Sequence, residues 1–135
     1  MKTLIVEDDF TSRLFLQKLV AEYGECHIGV NGKEAVSAFR MALDNGQPYD
    51  LICMDIMMPE MDGQTALKEI RAMEEAQGID STHGTKIIMT TALGDIRNMA
   101  TAYQALCDGY LVKPIAKARL IGLLEELKIL GRGTS

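Results

Sequence analysis

The chain has 135 residues, 47% of them apolar, enough to fill one core and too many for a disordered class. Its net charge of −5 and singly scattered Lys and Arg argue against direct nucleic-acid binding, and no apolar run has the length of a membrane span. Cys26, Cys53 and Cys107 form no CxxC or Cys/His cluster, which argues against a zinc site and fits a reducing cytoplasm, the expected location.

The first predicted strand, 2–7, starts almost at once, so no signal peptide is expected. Its apolar run Leu4-Ile5-Val6 ends on Glu7-Asp8-Asp9. A helix is predicted over 10–23, with Asp9 as a cap. A strand at 25–30 precedes a helix at 32–44, capped by Asn31 and apolar at Ala35, Val36, Phe39, Ala42 and Leu43. Asn45-Gly46-Gln47-Pro48 breaks that helix. The strand 50–55 runs through Cys53, read as a buried thiol, and ends on Asp55. Asp62 caps a helix over 63–76. The stretch from Glu74 to Thr85 is long for a connection and is expected to be a tolerated insertion rather than a partner contact. The strand 86–91 ends on Thr91, a helix capped by Asp95 covers 95–105, and the strand 109–112 runs into Lys113-Pro114. A last helix, 117–129, carries Leu120, Ile121, Leu124 and Leu127. His27 and His83 lie in no motif and read as surface or loop residues. Residues 1–130 are expected to form one domain and 131–135 a flexible polar tail.

Short buried strands alternating with helices predict an α/β, doubly wound (βα)5 sandwich, with helices on both faces of a five-stranded parallel sheet. Function in such sheets collects outside the carboxyl ends of the strands. That edge would gather Glu7, Asp8, Asp55, Thr91 and Lys113. Two like charges about 4 Å apart repel by roughly 4 kcal/mol at an effective dielectric near 20, so the acids call for a cation. Few, hard oxygen ligands with room for water and phosphate favour Mg²⁺ (or Mn²⁺) over a caged Ca²⁺. Beside such a metal Asp55 can attack phosphorus and form an acyl phosphate, with Thr91 and Lys113 serving the phosphoryl oxygens.

The pieces Leu4 to Asp9, Asp50 to Gly63, Thr91-Ala92 and Tyr110 to Pro114, in that order, resemble the CheY-like receiver domain of two-component response regulators over about residues 2–129. The resemblance implies the sheet order 2-1-3-4-5. It implies that Asp55 is the phosphoacceptor, taking its phosphoryl group from a phosphohistidine on a sensor histidine kinase or histidine phosphotransfer protein. It gives Asp8 as a direct Mg²⁺ ligand beside Asp55, the Met57 backbone carbonyl as another, and Glu7 as a ligand through water. Thr91 and Tyr110 would be the switch pair, and Lys113, before a cis peptide bond to Pro114, the phosphoryl counter-ion. The face from the fourth helix through the last, with Tyr103, Tyr110 and Lys117, would meet an unknown downstream target or a second copy, the chain being a monomer or a weak phosphorylation-dependent dimer. Such a chain catalyses only its own phosphorylation and dephosphorylation.

Three departures stand out. Leu106 replaces the usual Gly four residues before the switch aromatic, the 74–85 stretch is long, and Met57 and Leu93 are apolar where many relatives carry polar residues. Other readings are weaker. A haloacid-dehalogenase-type phosphatase needs an Asp where Met57 stands. A flavodoxin-like cofactor binder needs a Gly- or hydroxyl-rich loop after the first strand, where three acids lie. A phosphate-independent receiver-like binding module typically lacks a key residue, and none is missing.

Overall fold

The computed structural model describes residues 1–80, 83–92 and 106–129. The strands are β1 (Thr3–Val6), β2 (Cys26–Gly29), β3 (Leu51–Asp55), β4 (Lys86–Thr91) and β5 (Gly109–Val112). The described helices are α1 (Phe10–Ala21), α2 (Gly32–Asp44), α3 (Gly63–Ala76) and α4 (Lys117–Glu126). All strand pairs are parallel, in the order β2-β1-β3-β4-β5, as expected. The predicted helix 95–105 with its Asp95 cap, and the tail, lie outside the described residues.

Successive residues of a strand face opposite sides, so a sheet covered on both faces reads as a continuous apolar run. Leu4, Val6, Ile52, Met54, Ile87 and Met89 pack with Phe39 of α2 and Ile70 of α3. Ile5, Leu51, Cys53, Ile88 and Leu111 pack with Leu16 and Val20 of α1 and Leu120 and Leu124 of α4. Burial pushes the Cys53 thiol up to about 12, which suits the inert core role. His27 is partly exposed on the edge strand β2, with Nδ1 2.7 Å from the Tyr49 hydroxyl. His83 is exposed in the 77–85 loop.

α2, α3, β4 and β5 have the predicted bounds, and the N-caps Asn31 and Asp62 accept from Glu34 N at 2.9 Å and Thr65 N at 2.8 Å. β1, β2 and β3 are shorter than the predicted 2–7, 25–30 and 50–55, and α1 stops at Ala21 rather than 23. α4 stops at Glu126 rather than 129, because Lys128 takes a left-handed backbone, φ 61°. There Ile129 N donates to Leu124 O at 3.0 Å and Lys128 N to Glu125 O at 3.0 Å, the paired pattern that closes a helix. α2 and α3 close in the same way at Gly46 (φ 71°) and Gly78 (φ 74°).

Candidate functional site

β1 ends at Val6, which pairs with Met54, so Glu7 and Asp8 emerge beside Asp55 at the carboxyl edge. One carboxylate oxygen from each of Glu7, Asp8 and Asp55 lies within 4.8 Å of the others. Glu7 and Asp55 are buried, whereas Asp8 is exposed. Asp9 is committed to α1: it accepts from Ser12 N at 2.8 Å, and that bond holds its carboxyl below the usual range.

The Lys113 ammonium lies 2.7 Å from Glu7 Oε1 and 3.1 Å from Asp55 Oδ2. One ammonium is thus shared between the two acids. Burial raises the Glu7 carboxyl from 4.5 to about 7, and Asp55 adds to the rise. Lys113 and the Asp9 amide, 3.2 Å from Glu7 Oε2, oppose that rise without cancelling it. Burial alone would lower the Lys113 ammonium, but the two acids outweigh it and raise it. Lys113 precedes a cis bond to Pro114, and its amide donates to Thr91 O at 2.7 Å, locking β5 to the end of β4.

Thr91 is buried, one residue beyond Thr90, the register partner of Asp55, and its hydroxyl donates to Ala92 O at 3.1 Å. Tyr110 pairs with Met89 on the edge strand β5 and is 45% exposed. Met57 is 54% exposed, and its amide donates to Asp55 Oδ1 at 3.3 Å. The structure therefore gathers Glu7, Asp8, Asp55 and Lys113 in direct proximity, places Thr91 and Met57 beside Asp55 along the chain or sheet, and sets Tyr110 apart on the outer strand. Leu93 and Tyr103 lie outside the described residues.

Glycine chemistry shapes the loop after Asp55. A Cβ at Gly63 would stand 2.2 Å from the Asp55 carbonyl oxygen, so only Gly lets α3 begin this close to β3. On the other side Gly32 N donates to Met61 O at 2.9 Å, bracing the loop against α2. Arg13 was not singled out from the sequence, yet its Nη1 donates to Glu7 O at 3.1 Å. A basic residue in the opening turns of a helix, against the dipole, is the signal for it.

Three carboxylates that each offer a hard oxygen within 4.8 Å of the others fit a divalent cation such as Mg²⁺. Among the described residues no helix is long and apolar enough to cross a membrane.

Residues 3–125 match the protein family described as the response regulator receiver domain. The chain is 34% identical to the regulatory protein VanRB of Enterococcus faecalis over 131 residues, 94% of this chain and 52% of that protein. It is 32% identical to the transcriptional regulatory protein CusR of Escherichia coli over 128 residues, 94% of this chain and 51% of that protein. It thus spans about half the length of these curated relatives. Among solved structures it resembles the receiver domain of the sensor histidine kinase PA1611 from Pseudomonas aeruginosa, which has a magnesium ion coordinated in its active site cleft. The TM-score is 0.73 at 28% identity, covering 93% of this chain and 95% of that one.

Proposed function

This chain belongs to the response regulator receiver domain family of two-component signalling, and on that premise we propose that Asp55 is its phosphoacceptor and that phosphorylation switches the face carrying Tyr110. The observation that carries the reading is the Glu7, Asp8, Asp55 and Lys113 cluster at one sheet edge. An Asp55 oxygen bonds to phosphorus as the P–N bond of a donor phosphoimidazole breaks. The bonding electrons stay on the ring nitrogen, which is then protonated. The donor is a sensor histidine kinase or a histidine phosphotransfer protein. Asp55, Asp8, the Met57 carbonyl and, through water, Glu7 would hold Mg²⁺ (or Mn²⁺), which when bound supplies charge neutralisation to the carboxylates and phosphoryl oxygens.

Lys113 already pairs with Asp55, so it stands ready to follow a phosphoryl group on that oxygen. Thr91 supplies the hydroxyl that moves toward the new charge. Tyr110, half out in solvent, turns inward in response, and a downstream protein or a second copy reads the change. Beyond forming and losing its own acyl phosphate the domain turns over no substrate.

Incubation with acetyl phosphate and Mg²⁺, followed by mass spectrometry, tests this. One hydroxylamine-sensitive phosphoryl group should appear on Asp55. Label on another residue, or undiminished label in Asp55→Asn, removes the assignment.

A further inference from the structure

Arg71 sits at the opposite, amino-terminal edge of the sheet, where its side chain is 12% exposed. Its guanidinium meets four acceptors on three segments. Nε donates to Leu106 O at 2.9 Å and Nη2 to Asp108 Oδ2 at 2.9 Å, both just before β5. Nη1 donates to Thr85 O at 2.8 Å, just before β4, and to Glu74 Oε1 at 2.6 Å, on its own helix α3. Asp108 in turn accepts from Ile87 N at 2.8 Å through Oδ2, and its amide donates to Ile87 O at 2.8 Å. These bonds extend the β4–β5 pairing one step below its first ladder pair, Ile88 with Gly109.

β5 needs such an anchor. Among the described residues it is an edge strand of four residues, with β4 as its one hydrogen-bonded neighbour, so few contacts hold its ends. The Leu106 carbonyl, just before its start, is taken up by Arg71. At the far end Lys113 is fixed to Thr91, as described above. Tyr110 lies between these two clamps, two residues from Asp108.

We infer that Arg71 is a positioning residue of the switch: through Leu106 and Asp108 it fixes the amino end of β5, so that a change at the phosphorylation edge reaches Tyr110 instead of being lost as strand movement. The inference rests on the switch reading above. It requires a planar fork with several donors, which lysine cannot imitate.

The test compares the parent with Arg71→Lys and Arg71→Gln. Acetyl phosphate should label Asp55 at an unchanged rate, since Arg71 lies at the other edge. The balance between switched and unswitched Tyr110 conformers under beryllofluoride and Mg²⁺, read by NMR, should shift by about fivefold or more, the usual scale of such coupling. A full Tyr110 response in variants that merely melt earlier overturns the inference and leaves Arg71 a stability residue. Hydrogen exchange gives a readout independent of phosphorylation: the Gly109 to Leu111 amides should exchange faster in Arg71→Lys, with those of β1 and β3 unaffected. Uniform acceleration through the sheet also overturns it. Should Arg71→Gln fail to fold, Asp108→Asn, which keeps an oxygen in place, must show the same selective loss at β5, and its absence counts against the inference. If the parent takes no label, the phosphoacceptor reading fails, and the exchange data still decide whether Arg71 positions β5.

Discussion

Glu7 and Asp8 adjoin in sequence but differ in environment, and burial decides which of them the fold strains. The buried Glu7 carboxyl is raised from 4.5 to about 7 in the folded chain, so the native state binds its proton more tightly than the unfolded state does. That contribution to stability is fully present below about pH 4.5 and is lost as pH rises through about 7. Metal-free protein should therefore lose on the order of 3 kcal/mol between these limits, and Glu7→Gln, which mimics the protonated form, should flatten the profile. Urea midpoints across the range measure it; parallel profiles for parent and variant would show that Glu7 is not the group responsible. At Met57, half exposed beside Asp55, a thioether cannot orient water by a strong hydrogen bond. Met57→Asn should shorten the lifetime of the phosphorylated state, and an unchanged decay of radiolabelled protein would mean that the side chain at this position does not govern water attack. Acids at strand ends are readable in sequence because a parallel sheet has one carboxyl edge. Arg71 is not, because on its own helix it resembles any solvated basic residue and its partners Leu106 and Asp108 are distant in the chain.

Helix ends show most plainly what the sequence disclosed and what it hid. Gly46 and Gly78 mark the closure of α2 and α3, and both predicted ends, 44 and 76, agree with the structure. α4 closes with the same pair of hydrogen bonds, but the residue in the left-handed position is Lys128, so nothing punctuates the apolar spacing and the prediction ran on to 129. A Cβ in that conformation costs about 1 kcal/mol or more relative to Gly. Lys128→Gly should then raise the unfolding free energy by about 0.5–1 kcal/mol, the entropy gained by the unfolded chain taking back part of the relief. Denaturant melts of the two proteins measure it, and a loss of stability would mean that the Lys128 side chain makes a contact worth more than the strain. The 77–85 connection belongs at this scale too. Its length suggests slack, yet Glu74 Oε2 accepts from Thr85 N at 2.8 Å and its Oε1 pairs with Arg71, so the far end of the loop is tied to α3. A glutamate at a buried helix position gives no sign of that in the sequence.

Across the whole molecule the two edges of the sheet handle charge differently. At the amino edge Arg71 lies between Glu74 and Asp108 with every donor nitrogen engaged, a closed network within the protein. At the carboxyl edge three acids gather around one ammonium, that of Lys113, which pairs with two of them. The second arrangement is the costlier for the metal-free fold, because buried like charges have no solvent to screen them. A cation that binds only the native state should offset that cost: Mg²⁺ at a hundredfold excess over its Kd should add about 2.7 kcal/mol. The gain should vanish in Asp55→Asn, which in metal-free buffer should itself be more stable than the parent. Asp8→Ala should also lose the Mg²⁺ gain, but its own effect without metal should be small because the Asp8 side chain is exposed to water. Calorimetric melts with and without Mg²⁺ separate these effects. A melting temperature indifferent to Mg²⁺ in the parent, together with lower values in both variants, would mean that Lys113 alone balances the acids and that the edge holds no cation.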